Sequence, residues 1–264
     1  MRRAMFEHPQ ALQSAQHVLD AYEAVQAELP ALRRLLGDDD PRIRAATAYL
    51  LGWFPEEAEG SVAALRTLLE SEAVIGVLAN AVVSAGLLSD AELVPRLREL
   101  LRGSEPLLRW AAGIALAQLN VIEPEVIGVL AAASADPPKA DVEPAVHFLD
   151  GDLRGYASQT LAMLDDRIPP ETVGAVVEGL SRTSEIAAFT TTAAALRLTF
   201  PGGAPRPLPS FAELTEPQQR VVRVLAELSP ETWRWANFTS IMQNWHLPNR
   251  HAECRAYAGL DVLG

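Results

Sequence analysis

The chain has 264 residues, of which 49% are hydrophobic but only 6% aromatic, with one cysteine and a formal net charge of −12. A single cysteine, Cys254, excludes an intrachain disulfide and a cysteine-based zinc site. The negative charge argues against nucleic acid or an anionic membrane as partner, and the Ala, Leu and Val excess favours helices packed through small side chains over a β-sandwich.

Taken in order, residues 11–29 read as a helix with Leu12, Ala15, Val18, Leu19, Tyr22 and Val25 on one stripe. Pro30 opens a shorter helix expected to bury Leu32, Leu35 and Leu36, with Gly37 placed as a left-handed C-cap. Asp39 or Asp40 caps the next helix, Pro41 stands at its first position, and it runs to about Trp53. The same grammar returns at 62–69 with 73–88, and at 94–101 with 103–119. Leu32, Leu65 and Leu97 recur at about 33 residues, as do Leu36, Leu69 and Leu101. Pro41 aligns with Pro106, Ile43 with Leu108 and Arg44 with Arg109. A period of this size predicts stacked helix pairs.

A fourth pair starts at 126–130 and is split by an insertion, residues 134–152, carrying Pro137, Pro138 and Pro144. It resumes at Asp152, with Arg154 in the place of Arg44. A fifth pair spans 173–198, and Phe200 to Pro209 has the composition of a linker. In the tail, Thr215-Glu-Pro-Gln218 has the form of a capping box. A helix from Ser229 is expected to carry Trp233, Trp235, Phe238, Met242 and Trp245. The expected organisation is a repeat array over 1–200, a linker over 201–212 and a helical capping module over 213–264.

Asp40-Pro-Arg-Ile-Arg-Ala-Ala46 followed by Ala48-Tyr-Leu-Leu51 resembles a HEAT repeat of the short kind found in phycobilin-lyase-type and related bacterial proteins. Tyr49-Leu-Leu-Gly-Trp-Phe-Pro-Glu56, Gly151-Asp-Leu-Arg-Gly-Tyr-Ala157 and the tail around Trp233 and Asn237-Phe238 are similar to HEAT-repeat proteins of high-GC actinobacteria. The resemblance covers roughly residues 30–200. It implies an all-α fold, a right-handed α-solenoid of about five HEAT-like helix pairs with a C-terminal helical cap. It also implies a concave side lined by the second helices and a ladder of Arg44, Arg109 and Arg154 with carboxylates such as Asp40 and Asp152. Leu78 interrupts the ladder in the second repeat.

Two function classes follow. The first is a binding or scaffold protein presenting its concave surface to a protein or an apolar ligand, with Tyr49, Trp53, Trp110 and Tyr156 as contact residues. Trp110 and Tyr156 stand where the first repeat has Ala45 and Ala46. The second is a lyase- or cyclase-like enzyme of small-molecule biosynthesis, using His147, Asp150, Asp152 and Tyr156 for acid–base work, with Asp141 and Glu143 also near His147 in the insertion and Trp110 shaping the pocket. A closed pocket containing His147 and Tyr156 would favour the enzyme. His147→Ala is expected to leave folding intact, because a loop outside the repeat core carries it.

In the tail, His246, His251 and Cys254 lack an orienting partner or an oxyanion hole for nucleophilic chemistry. With five Arg against six acidic residues over 213–264, the tail also lacks the basic footprint of a DNA reader. No metal, no cofactor, no nucleic acid and no membrane are expected. The absence of a signal peptide and of a spanning segment makes the cytoplasm the expected location.

Overall fold

Prolines and acidic caps start several of the helices. In the computed structural model, which describes residues 9–139 and 143–260, all regular structure is helical. The side chains of residues 9–15 and of Asp166 lie outside the description, so Leu12 and Ala15 of the first stripe, and Asp141 of the insertion, are not placed. The helices are α1 (Pro9–Ala27), α2 (Leu29–Leu32, continued as a 3-10 turn to Gly37), α3 (Pro41–Leu51), α4 (Ala58–Ser71), α5 (Ile75–Leu87), α6 (Val94–Arg102), α7 (Pro106–Gln118) and α8 (Pro124–Ala135). After the insertion come α9 (Leu153–Met163), α10 (Pro170–Ser181), α11 (Ala187–Thr199), α12 (Glu216–Glu227), α13 (Pro230–Trp233), α14 (Ala236–Asn244) and α15 (His251–Tyr257). Five pairs are therefore present: α2/α3, α4/α5, α6/α7, α8/α9 and α10/α11.

Asp40 is the cap of α3, its Oδ1 accepting from the Arg42 amide at 2.9 Å. Pro41, Pro106, Pro124 and Pro170 each occupy the first turn, where the missing N–H has no helical partner to lose. Successive second helices pack on one another, α3 on α5, α5 on α7 and α9 on α11, so the array is an α-solenoid. α5 is buried from Gly76 to Gly86 except for a half-buried Leu78, as a nearly all-round apolar helix requires, and forms the wall shared by the two core clusters. Its one fully buried hydroxyl toward α3, Ser84 Oγ, donates to the Ala48 carbonyl at 2.7 Å across a contact left open by Gly52. The contact between α7 and α9 is the slightest in this layer, and there the insertion enters.

α12 lies on α10 and α11, α14 on α11, and α15 on α12, covering the last pair. The Trp233 indole donates to the Leu225 carbonyl at 3.1 Å, and His251 stacks on that indole at 5.2 Å while sitting 3.0 Å from the Ala226 carbonyl. These groups close the C-terminal end of α12. The capping box at Thr215 and Gln218 is formed.

Several expectations are corrected. Val18 and Leu19 are 69% and 54% exposed, and among the described side chains of α1 only Tyr22 and Val25 reach the core. Leu35 is exposed because the chain tightens to 3-10 geometry after Leu32, which rotates Leu35 outward and Leu36 inward. Gly37 is not left-handed; Asp38 after it is extended. The helix expected from Ser229 breaks at Arg234–Trp235 into α13 and α14, and Trp235 becomes an exposed N-cap. The stretch read as a linker is packed: Ala204 is buried and its amide donates to the Trp245 carbonyl, and Tyr257 donates to the Pro209 carbonyl.

Candidate functional site

The insertion returns across the face formed by the second helices. Its path is set by α5. Gly76 lets the chain close on that helix, since a Cβ there would overlap the Pro144 carbonyl. One turn on, Asn80 is fully buried and holds the insertion by its backbone. Its Nδ2 donates to the Ala145 carbonyl at 3.1 Å and to the Gly76 carbonyl at 2.8 Å, and its Oδ1 accepts from the His147 amide at 3.0 Å. Buried amides persist where such bonds are made, and this one makes three.

Phe148 then drops among the aromatic residues of the second helices. It is 1% exposed, lies 4.9 Å edge-on from Tyr49 and 5.6 Å stacked from Tyr156, and has Trp53 at 6.3 Å. Val146 and Phe148 join the main core cluster, so the expectation of a loop outside the core is overturned. The chain leaves through Leu149, Asp150 and Gly151, all with positive φ, and only the glycine adopts that geometry without strain.

The four residues considered for acid–base chemistry are placed as follows. His147 tilts on Tyr49 at 5.6 Å, and its Nε2 is buried with no hydrogen-bond partner. Asp150 is exposed. Asp152 caps α9, accepting from the Gly155 amide at 2.8 Å; burial raises its carboxyl above the ordinary aspartate value, and the cap bond and Arg154 oppose this. Tyr156 accepts from Gln118 Nε2 at 3.2 Å, and burial pushes its phenol up to about 12. No hydrogen bond joins any two of the four among the described residues.

The four aromatic contact candidates divide. Trp110 is 1% exposed, lies 6.0 Å from Tyr156, and its indole donates to the Leu153 carbonyl at 3.0 Å, so the ring ties α7 to the start of α9. Tyr49 and Tyr156 are half-buried against Phe148. Trp53 is 48% exposed at the edge of this cluster, and Leu149, which follows Phe148 in the chain, is 39% exposed. The residue that sequence reasoning missed is Asn80. Its signal was present: a lone amide inside a mostly apolar helix, one turn after a glycine.

The arginine ladder is uneven. Arg44 meets Glu72, the residue closing α4, through two bonds of 2.7 and 3.1 Å, and also donates to the Asp38 and Asp39 carbonyls. Arg154 donates to the Gly179 carbonyl in the last turn of α10. Arg109 donates back to Leu101 in its own repeat, at 3.2 Å. Asp40 caps α3 and pairs with Arg42, and does not pair with a ladder arginine.

Among the described residues, no group of three or more His, Cys, Asp or Glu is placed to hold a metal, and no helix is long and apolar enough to cross a membrane. No curated protein and no solved structure matches the chain. A family model described as HEAT repeat matches residues 29–52, the span of α2 and α3, which supports reading the chain as a HEAT-repeat protein.

Proposed function

We propose that this chain is a binding protein that takes a protein partner on the rim of its second-helix face. The observation that carries this is the exposure of Trp53 and Leu149 at the edge of an aromatic cluster whose other members, Tyr49, Phe148 and Tyr156, are half or fully buried. Along α3, Ile43, Ala46 and Leu50 share one side at helical spacing, Trp53 follows just past the C-cap Gly52, and Ile43 is 40% exposed. An exposed tryptophan beside other aromatic residues is a common anchor of protein interfaces. HEAT repeats generally mediate protein–protein scaffolding, which supports the same reading. The net charge of −12 favours a basic or neutral partner.

An apolar small molecule is a weaker fit, because Phe148 fills the space between Tyr49 and Tyr156. The lyase- or cyclase-like reading gains no support from the separate engagements of Asp152 and Tyr156.

The test compares the parent chain with a Trp53→Ser, Leu149→Ser double variant. A protein captured from the source cells is purified and titrated against both. Binding by the parent, lost in a variant of unchanged melting temperature and weakened by salt, is the expected result. Equal affinity for both chains would refute the assignment of the rim.

A further inference from the structure

In the third pair, where Arg109 does not complete its rung of the arginine ladder, there is a cleft. In the first and fourth pairs, the arginine at the start of the second helix reaches the C-terminal end of the next pair's first helix: Arg44 to Glu72, Arg154 to Gly179. The corresponding reach for Arg109 is to Asp136, which closes α8. Arg109 does not make it. It is exposed and, among the described residues, has one hydrogen bond, to Leu101. Between the start of α7 and the end of α8 lies a cleft of about 630 Å³, within the size range of small-ligand sites.

Its lining includes Arg109, Lys139, Glu105 and Asp136, with Leu107 and Trp110 among its apolar walls. Lys139 is the only lysine of the chain, and neither cation of the cleft has an ion pair among the described residues. We infer that this cleft binds a carboxylate carried on an apolar body, which takes the place of the missing rung by engaging Arg109 and Lys139. The charges decide the class. Two cations and two carboxylates sum to zero in the lining, so a bound monoanion leaves the site at −1 and a dianion at −2, and the smaller excess is the less costly. A dianionic phosphate adds a second charge facing Glu105 and Asp136. Planar, forked donors such as the Arg109 guanidinium match a carboxylate with two parallel bonds. The apolar walls take the body of the ligand. Both a free arylalkanoic acid and the C-terminus of a peptide present this chemistry.

Calorimetric titration of the full chain at neutral pH tests it. The probes are 3-phenylpropionate, its neutral amide, inorganic phosphate, and a short apolar peptide with a free or an amidated C-terminus. At least one carboxylate is expected to bind saturably, and its neutral amide not to bind. Arg109→Gln and Lys139→Gln are each expected to weaken that binding about tenfold or more. Both side chains are exposed, so melting temperatures stay within a few degrees. Whichever carboxylate binds more tightly identifies the source. The inference is overturned if neither carboxylate saturates, if the amides or phosphate bind equally well, or if both folded variants bind like the parent. Lys139→Gln alone decides should Arg109→Gln fail to fold.

Discussion

Replacing Asn80 with alanine is expected to release the insertion from the second-helix face. Two of the three Asn80 side-chain bonds cross to the insertion, at 3.1 Å to Ala145 and 3.0 Å from His147. Each such bond contributes about 1 kcal/mol net, and a partner left buried and unpaired costs about 1–3 kcal/mol. The third bond, to Gly76, adds little, because that carbonyl keeps its partner within α5. The expected loss is therefore about 2–4 kcal/mol, at the low end if the insertion moves out and hydrates, at the high end if Phe148 holds it in place. For a chain of this size that lowers the melting temperature by roughly 4–16 °C. The assay is urea unfolding combined with amide hydrogen exchange over residues 143–152. Faster exchange at the His147 amide is the specific readout, since a general loss of stability would not single it out. An Asn80→Ala chain with the parent's melting temperature and undiminished protection at His147 would refute the claim that Asn80 holds the insertion.

Three further outcomes follow from the geometry. Gly76→Ala would stabilise an open helix by about 1 kcal/mol, yet here its Cβ meets the Pro144 carbonyl, so thermal melting should show destabilisation and the same exchange pattern as Asn80→Ala. Arg44→Gln leaves the Glu72 carboxylate, whose side chain is 4% exposed, without its cation, and should cost about 3 kcal/mol in urea unfolding. Burial alone would raise the Glu72 carboxyl, but Arg44 and the Val74 and Ala73 amides together hold it below the ordinary glutamate value. Its contribution is thus fully present above about pH 4.3 and lost as pH falls through the folded value, and Arg44→Gln should flatten that acid loss. Burial pushes the Cys254 thiol up to about 12, so iodoacetamide at pH 8 should label it only after unfolding, as read by mass spectrometry.

The helix pairs, the Asp40 cap and the Thr215 capping box were legible because they are local: proline, cap and apolar spacing all sit within one turn of the structure they dictate. The exposure of Val18, Leu19 and Leu35 was not, because periodicity reports which residues share a face and not whether anything covers it. Aligning Trp110 with Ala45 correctly singled out a departure from the repeat, but its meaning depends on the Leu153 carbonyl, far along the chain. The insertion suggested chemistry through His147 and its flanking carboxylates. What positions it is a contact between residues 65 and 67 apart, which no local pattern encodes. Asn80 was the trace of that contact within the sequence, a polar residue that α5 alone gives no reason to keep.

In a helical array built only from neighbour-to-neighbour contacts, end units can peel away one at a time. Here the fourth pair sends Phe148 onto Tyr49 of the first and its backbone onto Asn80 of the second. The insertion acts as a rivet through non-adjacent units. Peeling α3 uncovers Phe148, and losing α5 frees the whole return path of the chain, so the first four pairs are bound to melt as one cooperative block.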